Sequence, residues 1–109
     1  MDCPERIYHQ NEFGGTRKCT CYNAVHLNFG NVSLLLSQQQ LSDFSEYIYD
    51  AVIRCKQETD DQDMRDIHIP TRDLCILFVV SYNELTMLLE LTDQTRLMLQ
   101  IDEELDINS

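Results

Sequence analysis

The cysteines and histidines near the start of the chain have the clearest chemical character. Cys19 and Cys21 are separated by a single residue, Cys3 lies upstream, and His26 follows Cys21 after four further residues. Thiolate and imidazole are the ligands of tetrahedral zinc sites, and a metal would add folding energy to a segment without other anchors. Any bound metal is therefore expected to be zinc, held by Cys3, Cys19 and Cys21 with His26 or His9 as the fourth ligand.

Reduced thiols are the alternative interpretation of the same cysteines. A Cys-x-Cys spacer is shorter than the usual spacers of zinc sites, and no second cysteine pair completes a recognised motif. The chain has five cysteines, an odd number that does not suit a fully paired disulfide framework. The sequence therefore predicts free thiols and no cofactor, with zinc as the alternative.

A thiol-dependent enzyme is the one catalytic reading that the residues allow. Cys75 and His68 are predicted on neighbouring strands, where an imidazole would activate a thiolate. No glycine or third polar group marks this pair, and the sequence has no phosphate loop, dinucleotide fingerprint, metalloprotease helix or nucleophile elbow. We therefore predict a non-catalytic protein, with the Cys75 enzyme as a rival.

The elements that would position these residues begin after an irregular start. Residues 1–23 lack a sustained period and carry turn-forming residues, which predicts an irregular, cysteine-rich segment. Residues 24–57 predict a first strand-strand-helix unit. Two alternating apolar runs flank a turn at Gly30, and Ser37 begins the capping box of a helix that extends to about Gln57.

A second unit with the same order is predicted after an acidic loop at residues 58–66. Residues 67–109 contain two short alternating runs, and Ser81 lies three residues before Glu84, as in a second capping box. The two units are offset by roughly 43 residues, which fits either a duplication or shared local patterns. We expect helix through most of the last stretch, although residues 95–105 also fit a strand.

Alternation assigns the predicted strands to two faces of one sheet. One face is almost wholly apolar, so the predicted fold is α+β, with two tandem ββα units forming a four-stranded antiparallel sheet that carries two helices on one face. The opposite face is mixed and too apolar to leave in water. We expect it to be covered by the N-terminal segment, a ligand or a second copy, through Leu35, Leu77 and Val79 with His26 and His68 beside them.

The charge of the chain argues against two classes of partner. The formal net charge is −11, and the excess of acids lies entirely from Gln38 onward. Such a surface repels phosphate, so nucleic acid and anionic membranes are not expected as partners. The first residues do not form a secretory signal, and the longest apolar run, Leu74 to Val80, is far too short to span a bilayer, so we expect a cytoplasmic protein.

A longer motif resembles that of a known family. Cys19-x-Cys21 followed by His26-Leu27-Asn28-Phe29-Gly30-Asn31 is similar to a family of small bacterial proteins known as a domain of unknown function. The resemblance implies a bacterial cytoplasmic protein and supplies no activity, catalytic residue or ligand. From the residues themselves we predict a single-domain, non-catalytic interaction or ligand-sensing module that forms a homo-oligomer.

Overall fold

The computed structural model describes residues 5–19, 24–30, 32–56, 63–65, 67–70 and 77–107. The predicted acidic loop at 58–66 therefore lies largely outside the described residues. The elements follow in this order: β1 (Glu5–Gln10), β2 (Gly14–Cys19), β3 (Ala24–Phe29), β4 (Val32–Leu36), α1 (Gln38–Cys55), β5 (Ile67–Pro70), β6 (Leu77–Val80) and α2 (Tyr82–Ile107).

The strands form two sheets. Strands β1, β2, β3 and β4 lie in that order in an antiparallel sheet, whereas β5 and β6 pair with each other in a separate two-stranded sheet. The α+β class, the four-stranded antiparallel sheet and the two helices are thus as predicted. The tandem ββα arrangement is not confirmed, because β1 and β2 occupy the sheet positions that the second strand pair was expected to fill.

The prediction of an irregular segment over residues 1–23 is wrong for residues 5–19, which form the β1–β2 hairpin. Its alternation is hidden by a β-bulge, where the register shifts between Ile7 and His9. The turn is held by Asn11, whose side-chain oxygen accepts hydrogen bonds from the backbone N–H groups of Phe13 and Gly14 at 2.9 and 3.1 Å. Asn11 thus orders a turn that the turn-forming residues around it had led us to predict as irregular.

The predicted β3–β4 hairpin is present, and its alternating residues divide between two faces as expected. Val25, Leu27 and Phe29 are buried, and each is paired with a residue of β4. Gly30 has a φ of 58°, the positive value that a tight turn of this kind requires. The strong local alternation and the glycine together explain why this hairpin could be predicted from the sequence.

Both helices begin at the predicted capping boxes. Ser37 and Gln40 exchange hydrogen bonds at the start of α1, and Ser81 and Glu84 do so at the start of α2. Helix α2 runs without a break to Ile107, so the strand alternative for residues 95–105 is wrong.

The two helices cover the same face of the four-stranded sheet. Helix α2 packs on β1 and β2, helix α1 packs on β3 and β4, and the helices also pack on each other. Phe78 of β6 joins this core through an edge-on contact with Phe29. We call the covered face the inner face and the opposite one the outer face.

Candidate functional site

The outer face of the four-stranded sheet carries a row of side chains that crosses all four strands. Pairing places Ile7 beside Arg17, Arg17 beside His26, and His26 beside Leu35. Ile7 and Leu35 at the two ends of the row are 56% and 58% exposed. Two large aliphatic side chains thus flank a pair of basic residues on a surface that no described helix covers.

A second row on the outer face is polar and uncharged. It consists of Gln10, Gly15, Asn28 and Ser33, which are paired in that order across the strands. The two rows contain no carboxylate, although the chain has 19 acidic residues. A third row, formed by Glu5, Cys19 and Ala24, adds a single acid, so the outer face is poor in acidic residues for a protein of this net charge.

The other predicted contact residues lie on the second sheet. His68 is paired with Val79, and Pro70 with Leu77. Leu77 and Val79 are 54% and 44% exposed, and His68 is exposed as well. The single mixed face that we predicted is therefore divided between two sheets, with His26 and Leu35 on the larger one. Cys75, the thiol of the rival enzyme, lies outside the described residues.

The predicted zinc ligands are placed only in part. Cys3 and Cys21 lie outside the described residues, whereas Cys19 ends β2 and is paired with Glu5 on one side and with Ala24 on the other. His26 follows two residues after Ala24. In the part of the chain that the structure describes, no three His, Cys, Asp or Glu residues are grouped so that they could hold a metal ion.

His9, the alternative fourth ligand, is engaged elsewhere. A hydrogen bond of 2.9 Å joins its Nε2 to Glu90 of α2, and the Asn11 amide donates to the same carboxylate oxygen at 2.9 Å. These two hydrogen bonds, that of His9 first, lower the pKa of Glu90. The contact holds the tip of the β1–β2 hairpin against α2.

A second polar contact holds the start of β1 against the other end of α2. Asp102 accepts hydrogen bonds from Arg6 at 2.7 Å and from Tyr8 at 3.0 Å. Burial, followed by the hydrogen bond to Asp102, raises the pKa of Tyr8. Between the two contacts, the buried hydroxyls of Thr16 and Thr95 are hydrogen bonded to each other.

These contacts were missed by the sequence analysis, for an identifiable reason. Each one joins residues about 80 to 95 positions apart, as with His9 and Glu90 or Arg6 and Asp102. Local patterns carry no information about such pairs, and polar residues in a short segment are typical of loops. The N-terminal hairpin thus has anchors that do not require a metal.

An open cleft of about 420 Å³ lies between α1 and α2. Its polar lining includes Gln38, Ser42, Arg96 and Gln100, with Asp93 at one side. Asp93 accepts a hydrogen bond from the buried Ser45 at 2.9 Å, which ties the two helices together. Among the described lining residues, no nucleophile is paired with a general base.

Comparison with known proteins identifies the family and nothing beyond it. The family of unknown function DUF6686 matches residues 1–108, so the chain belongs to that family. Neither the curated proteins nor the solved structures give a match. Membership of a family of unknown function is thus confirmed, while a bacterial origin stays a prediction. None of the described helices is long and apolar enough to span a membrane.

Proposed function

For this member of DUF6686 we propose a non-catalytic role, as a small cytoplasmic interaction module that binds a second copy of itself through the outer face. The observation that carries the proposal is the contrast between the two faces of the four-stranded sheet. One face is covered by both helices, and the other bears Ile7 and Leu35, each more than half exposed. A domain of this size buries only about two thirds of its surface on folding, so uncovered apolar area matters to it.

The energy available at this face is sufficient to bias association. A large aliphatic side chain contributes about 1.5 to 3 kcal/mol when it moves from full exposure to full burial. Ile7 and Leu35 start about half exposed, so each would contribute about half of that. A twofold dimer in which the outer faces meet buries both residues of both copies, and twofold dimers are the commonest soluble assemblies.

Charge selects the outer face as the route of approach. Two copies that each carry a net charge of −11 repel each other. In the described strands, Glu5 is the one acid that the register places on the outer face, so repulsion is weaker where two copies meet through this face.

The second sheet extends the proposed contact. His68, Leu77 and Val79 are exposed on β5 and β6, and we keep them with His26 and Leu35 as the proposed interface set. A ligand that covers either surface is the alternative occupant. Self-association is preferred because it needs no molecule beyond the chain itself.

Matched glutamate variants test the proposal. Leu35→Glu and Leu77→Glu each place a charge in the proposed contact, so light scattering should give the monomer mass where the wild type gives the dimer mass. Tyr49→Glu is the control, because Tyr49 is 53% exposed on α1, away from the outer face. A Leu35→Glu protein that keeps the dimer mass, or a Tyr49→Glu protein that loses it, would contradict the proposal.

The rival thiol-dependent enzyme is separated from this proposal by cysteine reactivity. The module reading expects Cys75→Ser to leave the dimer mass unchanged and Cys75 to be no more reactive than the other thiols. The enzyme reading expects a mild alkylating agent to modify Cys75 selectively near neutral pH, because a neighbouring His68 would favour the thiolate. Mass spectrometry of the alkylated protein distinguishes the two.

A structural zinc site is the second candidate, and strand register favours it. Cys19 lies opposite both Glu5 and Ala24, and the sequence places Cys3 two residues before Glu5 and Cys21 two residues after Cys19. A stoichiometric metal content in protein purified without chelator, abolished by Cys19→Ser, would support zinc. A substoichiometric content would leave these cysteines as ordinary thiols.

A further inference from the structure

We infer that the second copy binds by strand pairing, with β4 antiparallel to the partner's β4 and the twofold axis at Leu34. Two four-stranded sheets would then join edge to edge into one sheet of eight strands. The inference rests on the proposed self-association but places the contact at the edge of the sheet: Leu35 borders the β4 edge, whereas Ile7 of β1 lies at the opposite edge and stays exposed.

The direction of the backbone groups in β3 fixes which groups of β4 are free. The Gly30 N–H donates to the Phe13 carbonyl at 3.4 Å, just beyond the pairing of Gly14 with Phe29. In an antiparallel ladder, hydrogen-bonded and non-hydrogen-bonded pairs alternate. Phe29 therefore directs its backbone groups away from β2 and toward β4.

The same alternation continues into β4. Phe29 is paired with Val32, so Val32, Leu34 and Leu36 direct their backbone groups toward β3. Ser33 and Leu35 direct theirs away from the sheet. Among the described elements, β3 and α1 make the substantial contacts with β4, and the second sheet is not paired with it. The outer edge of β4 thus presents a strand's hydrogen-bonding groups.

The two edges of the four-stranded sheet are built differently. Strand β1 has the features by which proteins prevent edge pairing, namely a bulge and the charged residue Arg6, and its side chains are tied to α2. Strand β4 has the sequence Val-Ser-Leu-Leu-Leu, without a charge, a proline or a break in register. In the part of the chain that the structure describes, the β4 edge is therefore the one open to a further strand.

The positions of Ser33 and Leu35 select a symmetric register. When Leu34 lies opposite the partner's Leu34, Ser33 lies opposite the partner's Leu35. The backbone N–H of each residue in this pair then donates to the backbone carbonyl of the other. Leu34 is half-buried at the edge of the core, and the partner's Leu34 completes its burial. A second copy of β4 is thus complementary to β4 in both hydrogen bonding and apolar surface.

Substitution at Ser33 separates strand pairing from other contacts. Proline removes an N–H that donates to no described residue of the monomer, and proline is tolerated at an edge position whose N–H faces solvent. Ser33→Pro should therefore give the monomer mass with an unchanged circular dichroism spectrum. Ser33→Ala, which retains the N–H, should keep the dimer mass.

Amide hydrogen exchange of the wild-type protein gives a test that requires no variant. The N–H groups of Ser33 and Leu35 should be protected at high protein concentration and exchange rapidly after dilution. The Leu34 N–H, which is bonded to β3, is the internal control and should be protected at both concentrations.

The outcomes distinguish this inference from the proposal on which it rests. A dimer that survives Ser33→Pro and leaves the Ser33 and Leu35 amides unprotected would overturn strand pairing. If Leu35→Glu still dissociates that dimer, contact through the outer face is supported in its place. A wild-type protein that is monomeric at every concentration would overturn both.

Discussion

Asp102 illustrates how single residues connect the two ends of the chain. Its carboxylate accepts hydrogen bonds from Arg6 and Tyr8 of β1, so the first strand and the last helix share one acceptor. Tyr8 is 7% exposed, so removal of Asp102 would take a hydrogen bond from the hydroxyl of a largely buried side chain. Hydrogen bonds of this kind contribute more through the cost of leaving a buried group unpaired than through their own strength.

Replacement of Tyr8 by phenylalanine should lower the free energy of unfolding by about 1 to 3 kcal/mol, because the Asp102 carboxylate loses a donor. Tyr49→Phe is the matched control, since the exposed Tyr49 hydroxyl has no partner in the described part of the chain, and it should change stability by less than about 0.5 kcal/mol. Urea denaturation of both variants measures the difference. Equal stability of the two would show that the Asp102 contact is not formed in solution.

Gly14 should tolerate substitution far less well than Gly30. A Cβ atom at Gly14 would lie 1.9 Å from the Asn28 carbonyl oxygen, so the backbone of β2 or β3 would have to move. We expect Gly14→Ala to destabilise the protein by at least about 2 kcal/mol. Gly30→Asn should cost less than about 1 kcal/mol, because space is open there and asparagine adopts positive φ readily. Similar midpoints for the two variants in urea would contradict the close strand approach.

The start of α2 shows how one element is held by a local and a distant interaction together. Glu84 accepts from the Ser81 backbone N–H within the capping box and also forms a two-pronged ion pair with Arg65 at 2.9 Å. Arg65, more than the capping box, holds the pKa of Glu84 below its usual range. A carboxyl whose pKa is lower in the folded state stabilises the fold above its unfolded pKa.

The stability contributed by the Glu84 carboxylate should therefore be present above the ordinary carboxyl pKa and be lost over the acidic range below it, as the pH falls through the lowered folded pKa. Glu84→Gln keeps an oxygen for the Ser81 N–H but removes the charge paired with Arg65. We expect its thermal unfolding midpoint to fall less steeply than that of the wild type over this range. Identical slopes for the two proteins would mean that the ion pair contributes nothing, as for many exposed pairs.

The elements that could be predicted are those specified by neighbouring residues. The turn at Gly30, the alternation of Leu27 with its neighbours and the caps at Ser37 and Ser81 are all contained within a few positions of the chain. The β1–β2 hairpin could not be predicted because its order depends on Glu90 and Asp102, far along the sequence. The prediction that the strands after α1 belong to the four-stranded sheet failed for the same reason, since sheet pairing depends on residues far apart in the chain.

The candidate site was likewise predictable only where neighbouring residues determine it. The exposure of Leu35, Leu77 and Val79 agrees with the alternation from which they were selected. Their assignment to one surface required knowledge of strand order, which the sequence does not supply. Ile7 was missed because its strand was not recognised, although it is as exposed as Leu35.

At the scale of the whole molecule, charge should govern how tightly two copies associate. Repulsion between two chains of net charge −11 opposes the dimer, and salt screens that repulsion. The burial of apolar side chains in the contact loses little to salt. We therefore expect the dimer dissociation constant, measured by sedimentation, to fall as sodium chloride is raised. A dimer that dissociates on addition of salt would instead indicate an interface of ion pairs.

Self-association through the four-stranded sheet is the proposal on which the others depend. Its most direct test is the mass of the wild-type protein in light scattering across a dilution series at moderate salt. We predict twice the chain mass of 12.8 kDa at high concentration, with a concentration-dependent decline toward the single-chain value. A mass of one chain at every concentration would contradict the account.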